Sequence, residues 1–260
     1  MPSIIANQTA RSFRMTRKAL LIGCPGTKGK PDFLEGVVAD LTTYKEFLTS
    51  AFGGAWESRE IAMLHDPDPT TIRAALAALD TVRYSFVLFG GHGRIDSSTG
   101  RTRIATRNGV EMDADELRIG ATRHTVVIDT CRKLEKGHLV EALAKAASEV
   151  TQIDPRRCRS LFDEQVENSS PGLVVLWACS PGEGAGEEAD GGYYSHALVE
   201  EAKRWAGQRV RAYPFRPAVL TVDAAHDTAA PVVHRISGQR QHPRIEKPRS
   251  TQQFPFATVA

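Results

Sequence analysis

Nearly unbroken apolar runs alternate along this chain with stretches in which apolar residues return every three or four positions. Ala19-Leu20-Leu21-Ile22, Tyr84–Phe89, Val126-Val127-Ile128 and Leu173–Ala178 lack a consistent polar face, as strands covered on both sides do. A further strand is expected over Glu60 to Leu64. Leu34, Val37, Val38, Leu41, Tyr44 and Leu48 keep helical spacing, with Asp32 as the expected N-cap and Glu35 three residues on. Asp68 followed by Pro69 reads as a cap and first-turn proline, opening a helix that presents Ile72, Leu76 and Leu79. More helices are expected from about His138 to Ala147 and from Tyr193 to Trp205. Short alternation in the Gly/Thr/Arg-rich residues 94–111 predicts a hairpin or long loop, and Asp113-Ala114-Asp115-Glu116 a capped short helix. Residues 148–170 read as an irregular polar segment. Strands alternating with helices predict an α/β fold, a three-layer α/β/α sandwich with a mainly parallel central sheet.

The expected organisation is a flexible arm over 1–16, one core over 17–206 and a C-terminal extension, 207–260, packing on that core. At 41% hydrophobic and 25% charged, the chain has enough apolar material for a sizeable core. Its net charge of +2 conceals an uneven distribution, because residues 203–250 hold ten Lys/Arg against three acids. Such a run is read as a solvated surface, and no nucleic-acid partner is expected. The four cysteines form no C-x-x-C pair, which argues against a disulfide framework or a structural zinc. Ala19 to Ile22 is too short for a signal-peptide core or a membrane span, so a cytoplasmic protein with no membrane partner is expected. A reducing cytoplasm would keep a thiol available for chemistry.

Two reactive side chains follow two of the apolar runs directly: His92 in Phe89-Gly90-Gly91-His92-Gly93, and Cys131 in Asp129-Thr130-Cys131. Open parallel sheets place their chemistry outside the carboxyl ends of the strands. A thiol improves as a nucleophile beside an imidazole that can take its proton. Neighbouring strand tips could bring the two together despite 39 residues of separation. A flavodoxin-like small-molecule binder is the plainer reading of the strand pattern, but Gly23-Cys24-Pro25-Gly26-Thr27-Lys28-Gly29-Lys30 lacks phosphate-loop spacing.

These residues resemble the caspase-like cysteine peptidases, and look closer to metacaspases and bacterial orthocaspases than to animal caspases. The resemblance extends to Leu20-Leu21-Ile22-Gly23, Gly36-Val37-Val38-Ala39-Asp40, Ala178-Cys179-Ser180-Pro181-Gly182-Glu183 and Gly191-Gly192-Tyr193-Tyr194-Ser195-His196. It implies Cys131 as nucleophile, His92 as base and acid, and an oxyanion hole from the Gly93 and Cys131 N–H groups. It implies an acidic specificity pocket at Asp40 and Asp129, with Ser180 also binding substrate, and cleavage of protein or peptide substrates after Arg or Lys. A bacterial stress, defence or cell-death role with a signalling partner would follow.

Where metacaspases usually continue D-x-C-H-S-G, Arg132-Lys133 follow the thiol here. Residues 94–111 carry only Asp96 and Glu111 as acids, so calcium is not supported by the sequence and no metal or cofactor is expected. Arg156, Arg157 and Arg159 in the segment 148–170 are the expected self-cleavage sites. The alternative to a peptidase is a non-catalytic caspase-like interaction module.

Overall fold

The structure is a computed structural model that describes residues 15–131, 153–214 and 216–260. The helix expected from His138 to Ala147, and residues 1–14 of the expected arm, lie outside them. The first half of the chain forms β1 (Arg17–Cys24), α1 (Glu35–Thr49), β2 (Ile61–His65), α2 (Pro69–Ala77) and β3 (Tyr84–Gly91). The small strands β4 (Gly93–Ile95), β5 (Thr102–Ala105) and β6 (Glu111–Asp113) follow, then β7 (Arg123–Thr130). After the undescribed stretch come α3 (Pro155–Asn168), β8 (Gly172–Trp177), β9 (Glu187–Glu188), β10 (Gly191–Gly192) and α4 (Tyr193–Ala212). The chain finishes with β11 (Ala218–Thr221), α5 (Val222–Ile236), β12 (Arg244–Glu246) and β13 (Pro255–Val259).

The apolar runs form a six-stranded sheet in the order β12-β8-β7-β3-β1-β2. All neighbours are parallel except β12, which lies antiparallel on β8. Successive side chains of a strand point to opposite faces, and both faces here are covered. Ala19 and Leu21 join α1, α3, α4 and β13 in one apolar cluster that includes Tyr44, Phe47, Phe162, Leu198 and Phe256. Leu20 and Ile22 join Ile72 and Leu76 of α2 and Ile104 and Met112 of the small β4-β5-β6 sheet on the other side. This is the mainly parallel three-layer α/β arrangement that the periodicity predicts. Residues 207–260 supply β12 to the sheet, and Phe254 and Phe256 to the larger cluster.

Two local expectations are corrected and one is decided between its alternatives. Asp32 does not cap α1; Leu34 occupies that position with no side-chain cap bond, and Asp32 has another task described below. Of the two alternatives for residues 94–111, the hairpin is the one formed: β4 and β5 pair antiparallel, and β6 adds a third strand. Within 148–170 the described part is chiefly the helix α3. The Asp154 carboxylate accepts from Arg156 N at 2.9 Å, Pro155 starts the helix, and Cys158, Phe162 and Val166 bury one face. That repeats the Asp68-Pro69 signal that opens α2. Its polar face outweighed three apolar residues at four-residue spacing, which is why the stretch reads as irregular.

Candidate active site

The register of β3 and β7 sets the site. Gly90 pairs with Asp129 and Gly91 with Thr130, so His92 and Cys131 are the next residues out on neighbouring strands. Gly93 lets the two tips meet, because a Cβ there would collide with Thr130 Oγ1 and stand 2.9 Å from the Cys131 carbonyl oxygen. His92 Nε2 lies 2.7 Å from the Asp32 carbonyl oxygen, in the loop between β1 and α1. A carbonyl only accepts, so Nε2 carries the hydrogen and a neutral ring keeps its lone pair on Nδ1. The backbone of Asp32 therefore orients His92, a role that its side-chain type could not reveal.

Cys131 is part-exposed, and its Sγ donates to the Ala185 carbonyl at 3.3 Å. The other thiols are buried. Burial, with Asp66 adding to it, pushes the Cys24 thiol up to about 12, and burial raises Cys158. Cys179 donates to the Thr130 and Glu183 carbonyls. Of the four, Cys131 alone combines access with a place at a strand tip.

Beneath the tips lie two buried carboxylates. Asp40, on α1, is 1% exposed and Asp129, on β7, is 7% exposed. Asp40 Oδ2 accepts from Gly192 N (3.0 Å) and Ser195 Oγ (2.7 Å), while Asp129 Oδ2 accepts from Ser195 N (2.9 Å). Both thus sit at the N-terminus of α4, whose free N–H groups and dipole favour negative charge. That support is incomplete. Asp40 Oδ1 is buried without a hydrogen-bond partner among the described residues. Burial first, then the Asp129 charge, raise Asp40 well above the usual carboxylate range; burial raises Asp129.

The β9–β10 hairpin closes over the pair. A Cβ on Gly191 would collide with Asp40 Oδ1, and one on Gly192 would lie 2.5 Å from Asp129 Oδ2, so glycine is required where the hairpin crosses. Glu187, from the same hairpin, is a third carboxylate, pushed up to about 7 by burial and by Asp129 and Glu35. Glu187 and Ser195 were not among the residues expected from the sequence. The Gly-Gly ahead of a helix was the available signal, since it marks a backbone approaching something closely.

Other expected residues lie elsewhere. Ser180 Oγ donates to the His242 carbonyl and Ser180 N to Glu183 Oε2, at 3.1 Å each, and no bond joins it to the acidic pair. Arg156, Arg157 and Arg159 belong to α3. Arg159 bonds to Glu60 and to the Ala55 carbonyl, within a cluster that also holds Arg17 and Asp163. Arg17 begins β1, at the end of the sheet opposite the strand tips that precede His92 and Cys131. The irregular loop on which the self-cleavage expectation rested is corrected to a capped helix over Pro155–Asn168. Among the described residues, no group of three or more His, Cys, Asp or Glu is arranged to hold a metal ion. Asp113 and Glu116 are engaged by Arg101 and Arg73, and Asp115 by Arg118.

A mainly parallel α/β sandwich with a histidine and a cysteine on adjacent strand tips is the scaffold of caspase-like cysteine peptidases. The sequence profile of the Caspase domain matches residues 16–255, and the chain belongs to that family, whose members are cysteine peptidases acting on proteins. Among solved structures, Caspase-1 from Spodoptera frugiperda superposes with a TM-score of 0.57 at 12% identity, over 94% of this chain and 92% of that one. A protein from Geobacter sulfurreducens gives 0.56 at 13% identity, over 94% of this chain and 100% of its own. The Drosophila initiator caspase Dronc gives 0.57 at 9% identity, over 92% and 82%. At these identities the likeness is one of fold. No curated protein sequence matches. No helix among the described residues is long and apolar enough to cross a membrane.

Proposed function

We propose that the chain is a cysteine endopeptidase that cuts protein substrates after Arg or Lys. The observation that carries this reading is the buried Asp40–Asp129 pair beside Cys131, joined by Glu187 and offered no cation by the residues bonded to it. Burying like charges without a counter-ion is expensive, and a cationic substrate side chain supplies the missing charge.

In the reaction, His92 Nδ1 takes the Cys131 proton while Nε2–H stays on the Asp32 carbonyl. The thiolate attacks the scissile carbonyl carbon, and the N–H groups of Gly93 and Cys131 hold the oxyanion. Such donors each contribute about 10²–10³ in rate. The imidazolium then protonates the leaving amine, the C–N bond breaks and a thioester remains. Water, deprotonated by His92, cleaves the thioester and restores the thiol. Substrate must first displace the Ala185 carbonyl from Cys131 Sγ. Such an enzyme, in a bacterial cytoplasm, suits a stress, defence or cell-death signalling role close to that of metacaspases and orthocaspases.

The test is covalent labelling by an arginyl chloromethylketone. Stoichiometric labelling of the native chain, absent in Cys131→Ala and blocked by an Arg-containing peptide, supports the reading. Failure to label a folded sample overturns it. The engagement of Cys131 Sγ by Ala185 favours a second reading, an inactive interaction module with its thiol permanently covered. In that case the site would resist small thiol reagents as well.

A further inference from the structure

Behind the β9–β10 hairpin, α1 and α4 enclose a groove of about 580 Å³ separate from the Cys131 thiol. Glu35, Glu46, Asp190 and Glu200 line it, with Lys203, held by Glu200 at 2.9 Å, as the one Lys or Arg among the described residues that line it. His196 also lines it and is 5% exposed. Its Nδ1 lies 3.2 Å from the Asp190 carbonyl, so Nδ1 carries the hydrogen and Nε2 is the acceptor of the neutral ring. Among the described residues, Nε2 has no hydrogen-bond partner. A buried acceptor left without a donor costs free energy that a ligand N–H recovers. The same holds for Glu188 Oε1, on the hairpin itself, and for Asp40 Oδ1 beneath it. Among the described residues, these unpartnered buried groups gather around one hairpin.

We propose that this groove binds a basic stretch of peptide, its ammonium or guanidinium groups donating to His196 Nε2 and to the carboxylates around it. Continuity with the acidic pair selects a peptide over a free small cation. Glu35 both lines the groove and raises Glu187, and Asp190 is the residue immediately before β10, whose glycines cover Asp40 and Asp129. A chain with one basic residue over the pair therefore meets further acceptors across the hairpin. The peptide's status as a substrate rests on the function proposed above, whereas the groove's preference for a cationic chain does not.

The experiment uses fluorescently labelled hexalysine and the full chain carrying Cys131→Ala, Asp40→Asn and Asp129→Asn, with anisotropy read at low salt. Saturable one-to-one binding is expected. Glu35→Gln with Glu46→Gln, both exposed positions, should weaken it about three- to tenfold, as losing two exposed ion pairs does. His196→Phe, which keeps a ring but no acceptor, should weaken it several-fold, with thermal melts confirming each fold. No saturable binding, or binding indifferent to all three changes, overturns the proposal. Displacement by spermine at equal ammonium concentration overturns it too, by assigning a polyamine site. Hydrolysis plays no part in this readout, so hexalysine binding here together with failure of the native chain to label or to cleave Arg peptides refutes the peptidase reading alone.

Discussion

Replacing Asp129 by Asn should make the protein more stable and less active at once. The amide oxygen can still accept from Ser195 N, so the geometry at the start of α4 survives. What disappears is one of two negative charges that share Ser195 as a hydrogen-bond donor, at 2.7 and 2.9 Å. Those contacts put the carboxylates roughly 5–8 Å apart, and at an effective dielectric of about 20 their repulsion is then ~2–3 kcal/mol. The sign of the pH dependence follows from the raised pKa of both groups. A carboxyl that holds its proton more tightly folded than unfolded loses native stability as pH rises from the ordinary carboxylate range through its folded value. The gain from Asp129→Asn should therefore be absent near pH 4 and grow toward neutrality. It would reach up to ~2–3 kcal/mol, or roughly 5–10 °C in Tm for a domain of this size. Turnover moves the other way. Removing one partner of a desolvated ion pair costs about 2–5 kcal/mol. kcat/KM for an Arg substrate should thus fall by about two orders of magnitude or more, at 1.36 kcal/mol per tenfold. Fluorogenic peptides differing only in Arg, Gln or Asp before the cut, with melts from pH 4 to 8, measure both. An Asn variant that is no more stable and cleaves the Arg peptide like the parent would refute the electrostatic argument, and preference for Asp would refute the pocket.

Cys131→Ala and His92→Ala should each abolish peptidase activity with Tm nearly unchanged, whereas Cys24→Ala, Cys158→Ala and Cys179→Ala keep it; activity surviving in either of the first two shows the wrong pair was chosen. Glu187 is pushed up to about 7, so kcat/KM for Arg substrates should rise as pH passes through 7 and this carboxyl ionises. Glu187→Gln should flatten that limb relative to a neutral-residue peptide, and an unchanged profile removes Glu187 from the pocket. Arg17 is 2% exposed and lies 3.0 Å from Asp163 and 4.5 Å over the Trp56 ring, so Arg17→Ala, which empties a buried site and leaves the part-buried Asp163 with Arg159 at 3.8 Å, should cost about 2–5 kcal/mol by denaturant unfolding. Arg peptide hydrolysis should persist in excess chelator, and its complete loss would show a calcium requirement.

The sheet, and the placement of His92 and Cys131 on adjacent strand tips, were legible because each rests on a local signal. Leu20 and Ile22 face one layer and Leu21 the other, so β1 had to read as a continuous apolar run. His92 and Cys131 announce themselves by following such runs. The less legible parts depend on partners distant in sequence. Asp32 acts through its carbonyl, which every residue has. Ser195 matters because Asp40 lies 155 residues before it. The α5 helix hides behind Pro231, since an interior proline normally argues against a helix. Conversely, α3 was misread although its cap, proline and four-residue apolar spacing were all present.

The β12 strand also bears on how copies of this protein meet. A sheet that ends on an open strand offers unpaired N–H and C=O groups to any neighbouring chain, and proteins blunt such borders with short, charged, proline-flanked strands. Here the border next to β8 is three residues long, Arg244-Ile245-Glu246, with Pro243 before it and Pro248 two residues after. Glu246 is tied back by Trp177 Nε1 at 2.6 Å and by Arg118 at 2.8 Å, which fixes the strand to its own molecule. Joining two molecules into one continuous sheet across this side would set those charges and prolines against each other. Assembly of this protein is thereby steered toward its helical faces or toward β2, the sheet's other border.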